Sequence, residues 1–183
     1  MATLRASVRA TLELAESPHQ LIRAVNRQLC IDTSGQGNFA SLFFLRVDIS
    51  AKELQWVRAG HDPGILYNPA TKEFTELKGK GLVLGVDRDY KYQTETLVLE
   101  DEKYVLLIYS DGAWEVENQQ GEQFGKHRLM ENIAANSYLP PVDLLNHIIE
   151  SINNFRGTAP LNDDITLVAL SIDGASYESS EQG

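Results

Sequence analysis

The chain has 183 residues, of which 43% are hydrophobic and 23% are charged. This length suits one domain with a sizeable apolar core, and the composition is that of a folded globular protein rather than a disordered or fibrous one. The net charge of −10 disfavours nucleic acid and anionic membrane surfaces as partners, and the single cysteine, Cys30, excludes a disulfide framework.

The first two predicted elements are helices. Apolar residues recur every three or four positions over residues 1–15, which predicts an amphipathic helix. Ser17 and Pro18 are typical of an N-cap and a first helical position, so they predict the start of a second helix that ends near Cys30. A polar loop is expected over residues 32–38. These helices are expected to cover the core, and the alternative is a surface through which a partner or sensor domain acts.

The middle of the chain predicts strands, because aromatic and branched residues are separated by short turn-forming runs. The predicted strands cover residues 39–49, 54–59, 65–67, 73–77, 92–99 and 104–109. A glycine-rich connection is expected over residues 78–85. The strand at 104–109 is apolar enough to lie in the interior of a sheet.

The last third of the chain returns to helical spacing over residues 126–135 and 142–155, with Gly157 ending the second helix. An apolar run at 165–172 predicts a central strand, and the Ser-, Glu- and Gly-rich residues 174–183 predict a disordered tail. Strands framed by helices indicate a layered α+β fold dominated by antiparallel sheet.

Two acidic turns are the candidates for chemistry. Asp111 and Gly112 directly follow the buried strand at 104–109, and Asn162, Asp163 and Asp164 stand just before the last strand. Hard cations such as Mg²⁺ and Mn²⁺ prefer oxygen ligands of this kind. Asp and Asn are also common turn residues, so two unrelated turns in a structural α+β domain remain an alternative. Sequence spacing alone does not show that the turns meet.

Three runs in order resemble the motifs of metal-dependent PPM phosphatases. They are YSDGAWEVEN at residues 109–118, GEQFG at 121–125 and NDDITLV at 162–168. Two further runs, AGHDPG at 59–64 and GLVLGV at 81–86, are similar to the bacterial branch that includes the sporulation stage II E phosphatase and regulators of stress sigma factors. The resemblance covers nearly the whole chain, so residues 1–173 are expected to form a partial PPM-type domain with an α-β-β-α sandwich.

The resemblance implies a two-metal Mn²⁺ or Mg²⁺ centre that hydrolyses phosphoserine or phosphothreonine by attack of a metal-bound water. Asp111 and Asp163 match the family's metal-ligand positions and are the expected catalytic residues. Asp164 is included in the metal site as a neighbour that orients water or phosphate. Gly112 would let the chain pass close to the metal.

The family also has an upstream motif of the type Gly-Asp-Val-x-Gly-His-Gly, whose aspartate bridges both metals, and this sequence does not contain it. We therefore expect an N-terminally truncated domain, cut from a longer regulator or read from a late start. Missing strands would leave a sheet edge that another chain covers, which would allow a homodimer.

The first functional hypothesis is a phosphatase domain of a bacterial signalling regulator that acts on a phosphorylated protein such as an anti-sigma-factor antagonist. An N-terminal sensor or receiver domain in the parent protein is the expected input. Residues 1–20 lack the apolar region of a signal peptide and no apolar run reaches membrane-spanning length, so a cytoplasmic location is expected. The alternative is a catalytically inactive module of the same fold that binds a partner.

Overall fold

The structure is a computed structural model that describes residues 2–12, 15–33 and 38–173. The described part of the chain forms two compact units, one from the described residues up to 63 together with residues 78–99, and the other from residues 64–77 and 100–173. Residues 34–37 of the predicted loop and the predicted disordered tail, 174–183, lie outside the described residues.

Both units contain helices and antiparallel strands. In chain order the elements are α1 (Ala2–Leu12), α2 (Pro18–Asp32), β1 (Leu42–Asp48), β2 (Glu53–Ala59), β3 (Gly64–Asn68), β4 (Glu73–Leu77), β5 (Glu95–Val98), β6 (Lys103–Tyr109), α3 (Gly125–Asn136), α4 (Pro141–Arg156) and β7 (Leu167–Asp173). The prediction of an α+β fold with antiparallel sheets is confirmed.

The first unit is a three-stranded sheet in the order β1-β2-β5 with helices packed on it. Helix α2 buries Leu21, Ile22 and Val25 against Val57 and Ala59 of β2, because its apolar residues recur at helical spacing on one face. Helix α1 packs along α2. The predicted hairpin of β1 and β2 is confirmed, with Asp48 opposite Glu53 across the turn.

The predicted strand at 92–99 is shorter in the structure, where β5 spans Glu95–Val98. The side chain of Tyr92 is buried in the first unit's core, and its hydroxyl donates a hydrogen bond to the Leu82 carbonyl at 3.0 Å. Residues before Glu95 are therefore held by a side-chain contact with the glycine-rich connection rather than by pairing with β2.

The second unit is a four-stranded sheet in the order β4-β3-β6-β7, with α3 contacting β3 and α4 contacting β7. Its core joins Leu107 of β6 to Phe124, Leu129 and Ile148, all at most 1% exposed. Strand β6 pairs on both sides, so its predicted place in the sheet interior is confirmed. In the described part of the chain, no helix is long and apolar enough to cross a bilayer.

The prediction that the last apolar run is a central strand is wrong. Strand β7 lies at the end of the sheet order and pairs, among the described residues, with β6 alone. Leu167 and Ala169 pack against the core, whereas Val168 and Leu170 on the other face are 45% and 37% exposed. An apolar run on both faces predicts burial on both faces, but on the second face of this strand Ile172 alone is buried.

Candidate metal site

The two acidic turns meet at one end of the four-stranded sheet. Strands β6 and β7 run antiparallel with Tyr109 opposite Leu167, so the chain leaving β6 and the chain entering β7 emerge side by side. The pairing continues one step beyond the strands, because the Ser110 amide donates to the Thr166 carbonyl at 3.0 Å. This register brings Asp111 next to the turn that contains Asp163.

Ser110 joins the two turns through its side chain. Its hydroxyl donates to the Asp164 carbonyl at 3.1 Å and accepts a hydrogen bond from the Thr166 amide at 2.9 Å. Ser110 lies within the run at residues 109–118 that resembles a family motif, but no role was predicted for it. A serine directly before an Asp-Gly turn was the only signal, because hydroxyls of this kind often bind nearby backbone groups.

Gly112 lies directly against the second turn. An ideal Cβ at this position would be 2.4 Å from the Asp164 carbonyl oxygen and 3.4 Å from the Asp163 Cβ. Only a residue without a side chain fits a contact this close. The resemblance implied that Gly112 lets the chain pass near a metal, and the structure shows in addition that it lets the two acidic turns touch.

The two candidate ligands have the same local geometry. The Asp111 carboxylate accepts a hydrogen bond from the Gly112 amide at 3.0 Å, and the Asp163 carboxylate accepts one from the Asp164 amide at 2.7 Å. In each case one oxygen is held by backbone, and the other makes no hydrogen bond with a described residue. Both side chains are exposed, so each carboxylate is accessible to a cation from solvent.

Asp164 contributes mainly through its backbone. Its carbonyl oxygen accepts the Ser110 hydroxyl and lies under Gly112, while its amide orients Asp163. Its exposed side chain forms no hydrogen bond with the described residues. A side-chain role for Asp164 therefore stays a prediction.

The donor set fits part of a site for a hard divalent cation. Carboxylate oxygens are the ligands that Mg²⁺ and Mn²⁺ prefer, and these ions commonly keep several waters. Two adjacent carboxylates also repel each other, and a cation offsets that repulsion. Among the described residues, however, no group of three or more His, Cys, Asp or Glu side chains is placed to hold a metal. The described residues therefore offer two candidate carboxylate ligands and not a complete cluster.

A polar cleft of about 330 Å³ lies beside the acidic turns. Its lining includes Glu117, Asn118, Thr158 and Asn162, the last of which directly precedes Asp163. This cleft was not predicted from the sequence, because it forms where the loop after the Asp111 turn meets the loop after α4. It provides space for groups next to the carboxylates.

One protein family matches almost the whole described chain. The family model for stage II sporulation protein E (SpoIIE) matches residues 1–173. The curated phosphoserine phosphatase RsbU of Bacillus subtilis is 27% identical over 174 residues, which cover 93% of this chain and 50% of RsbU. The chain therefore spans half the length of this relative.

Solved structures have the same fold. The PP2C domain of SiaA from Pseudomonas aeruginosa superposes with a TM-score of 0.82 at 19% identity, covering 94% of this chain and 68% of that one. RsbX in complex with magnesium superposes with a TM-score of 0.60 at 16% identity, covering 92% of this chain and 71% of that one. These matches confirm the predicted fold class.

Proposed function

Because the chain belongs to the stage II sporulation protein E (SpoIIE) family, we propose that it is a metal-dependent phosphoprotein phosphatase domain of a bacterial signalling regulator. Residues 1–173 form this domain in the proposal. Its substrates are phosphoserine or phosphothreonine residues of a partner protein. A sensor or receiver domain elsewhere in the parent protein, or a second copy of the chain, would regulate it.

The observation that carries the proposal is the contact between the two acidic turns. Asp111 and Asp163 come from positions far apart in the sequence, and Gly112 and Ser110 hold their turns together. Each carboxylate has one oxygen oriented by a backbone amide. A purely structural turn does not need two preoriented, exposed carboxylates from different strand ends.

Asp111 and Asp163 would hold a Mn²⁺ or Mg²⁺ ion through their outward oxygens. When bound, such an ion would activate a water molecule for attack on phosphorus by lowering its pKa. Hydrolysis would form a bond between the water oxygen and phosphorus and break the bond from phosphorus to the serine or threonine oxygen, and a proton of that water would pass to the leaving oxygen. The Asp164 amide and Ser110 keep the two carboxylates in place during this reaction.

The choice of substrate rests on the relatives. RsbU is a phosphoserine phosphatase by its curated name, and its similarity supports a phosphoserine protein as substrate. An anti-sigma-factor antagonist is the proposed partner. The magnesium complex of RsbX supports a divalent cation as cofactor.

A second candidate function is a catalytically inactive partner-binding module. The specific observation in its favour is that the described residues bring two candidate ligands together without a third acidic or histidine side chain. In this case the fold and its surfaces would be retained while the metal site is incomplete.

Hydrolysis of p-nitrophenyl phosphate and of a phosphoserine peptide, each with and without Mn²⁺, tests the first proposal. We expect Mn²⁺-dependent turnover that falls at least about a hundredfold in Asp111→Asn and Asp163→Asn, because each substitution removes a charged ligand. Asp143→Asn, at an exposed aspartate in the first turn of α4, is the matched control and should keep full activity. Absence of Mn²⁺-dependent turnover in the unsubstituted chain would favour the partner-binding module.

A further inference from the structure

The three-stranded unit carries a positively charged cleft unrelated to the acidic turns. It has a volume of about 470 Å³, and its lining includes Arg58, Lys78, Lys80, Gln93 and Glu95. These residues include three positively charged side chains and one carboxylate, so the cleft has a positive local charge although the whole chain has a net charge of −10. We call Arg58, Lys78 and Lys80 the basic ridge.

Three hydrogen bonds hold the loop that carries the two lysines, two from strand β2 and one from Gly60, which directly follows it. The indole of Trp56 donates to the Lys78 carbonyl at 2.7 Å, and the guanidinium of Arg58 donates to the Gly79 carbonyl at 3.0 Å. The Gly60 amide donates to the Gly81 carbonyl at 3.0 Å. The loop therefore has a defined path beside the sheet, which reduces the entropy lost when a ligand binds.

Lysine and glycine alternate in residues 78–81, and this alternation determines which residues of the loop contact the strands. An ideal Cβ on Gly81 would be 1.5 Å from the Arg58 carbonyl oxygen, and one on Gly79 would be 3.3 Å from the Glu95 Cγ. Both glycines thus face the strands, whereas Lys78 and Lys80 are exposed. The two lysines are thus the solvent-exposed residues of this loop, and its two glycines are the residues that contact the strands.

The Arg58 guanidinium keeps its positive charge. The guanidinium of Arg58 donates its hydrogen bonds to the backbone carbonyls of His61 and Gly79, which do not neutralise it. A carbonyl-bound guanidinium remains a full cation that can attract an anion. Among the described residues that line this cleft, Glu95 is the one with a carboxylate.

We propose that the basic ridge is a docking site for an acidic, extended segment of a partner protein. Alternating residues of an extended chain lie on one side about 6.6 Å apart. Lys78 and Lys80 are themselves two residues apart with alternating exposure, so their spacing suits carboxylates at alternate positions of such a segment. A nucleic acid or an anionic membrane would meet the repulsion of the whole chain, whereas a short segment meets mainly the local charge.

Fluorescence anisotropy with a fluorescein-labelled hexaglutamate peptide tests the proposal at about 0.1 M salt, close to physiological screening. We expect the double variant Lys78→Ala/Lys80→Ala to raise Kd about fivefold to tenfold, the loss of two exposed ion pairs. The matched control is Arg5→Ala/Arg9→Ala, which removes the same charge from exposed positions of α1 and should change Kd less than about twofold.

Three results would overturn the proposal. They are no binding of the peptide by the unsubstituted chain, equal weakening in both double variants, and tighter ridge-dependent binding of a single-stranded oligonucleotide or phosphatidylserine vesicles than of the peptide. Hydrolysis of p-nitrophenyl phosphate is measured in the same samples and should be unchanged by either double variant. Since peptide binding needs no catalysis, failure of the phosphatase proposal would leave this test intact.

Discussion

The acidic turns of the four-stranded unit and the basic ridge of the three-stranded unit use the same construction with opposite charge. Both regions depend on a glycine at a position with no room for a Cβ, where a loop lies against neighbouring backbone. This glycine is Gly112 in the acidic turns and Gly81 in the basic ridge. A side chain that donates a hydrogen bond to a backbone carbonyl also holds each loop. The donor is Ser110 in the acidic turns and Arg58 in the basic ridge. The charged side chains then point outward.

The two regions differ in how far apart their parts lie in the sequence. The ridge combines Lys78 and Lys80 of one short loop with Arg58 of β2, whereas the acidic site takes Asp111 and Asp163 from the ends of two paired strands. The acidic site therefore depends on the pairing of β6 with β7, and the ridge depends on how one loop lies on β2. Changes that disturb one contact should leave the other region intact.

The largest expected effect is that of Gly81→Ala. The new methyl group would occupy the position of the Arg58 carbonyl, so the loop must leave β2, at a cost of about 3 kcal/mol or more in the free energy of unfolding. Urea unfolding measures the loss, and Trp56 fluorescence reports it locally in a Trp114→Phe background. Hexaglutamate binding should fall as well. A cost below about 1 kcal/mol would contradict the described contact.

Gly112→Ala should have the next largest effect. The methyl group would lie 2.4 Å from the Asp164 carbonyl oxygen, so we expect a loss of about 2 kcal/mol in stability. Mn²⁺ affinity should fall at least about tenfold because the two turns separate. The matched control is Gly121→Ala, where no atom lies within 4 Å and only the positive φ of 77° is unfavourable. Calorimetry should find Mn²⁺ affinity unchanged in that control.

Ser110→Ala should have a smaller effect on stability. It removes the two hydrogen bonds that link the acidic turns, which we expect to cost about 1 kcal/mol because the site is exposed. Turnover of p-nitrophenyl phosphate should fall through a higher Mn²⁺ requirement and recover at saturating Mn²⁺. Ser137→Ala, at the C-cap of α3, is the control and should leave the Mn²⁺ requirement unchanged. A loss of turnover that Mn²⁺ does not restore would assign Ser110 a different role.

The smallest effect at neutral pH concerns Tyr92. Burial raises the pKa of this hydroxyl above its ordinary value of 10.0, so the folded state holds its proton more tightly than the unfolded state. The contribution of this hydroxyl to the free energy of unfolding is fully present below about pH 10, and it is lost as the pH rises further. Urea unfolding between pH 8 and 11 should show this loss in the unsubstituted chain and a smaller one in Tyr92→Phe. Identical profiles would contradict the burial effect.

The sequence predicts the local elements well. Helical spacing predicts α2, α3 and α4, and alternating apolar residues with short turns predict the hairpin of β1 and β2. These elements are confirmed because their signals are local. The position of β7 at a sheet edge was missed, since an apolar run alone does not specify how many neighbours a strand has.

The sequence predicts which residues belong to the candidate site, but it does not predict how they are arranged in space. Asp111 and Asp163 were chosen from motifs, but their contact depends on strand pairing that sequence spacing does not show. The same limit applies to Asn26, a fully buried polar residue whose side chain binds the Gly85 amide and the Asp87 carbonyl. Contacts between distant segments form only in the folded chain, so periodicity and turn signals do not reveal them.

The most direct test of the central claim is a double-mutant cycle of Mn²⁺ binding by calorimetry. The claim is that Asp111 and Asp163 hold one cation together. If so, Asp111→Asn and Asp163→Asn should each abolish most of the binding, and the double variant should lose little more than either single one. Losses that simply add, or Mn²⁺ affinity that survives either substitution, would show that the two carboxylates do not share a metal.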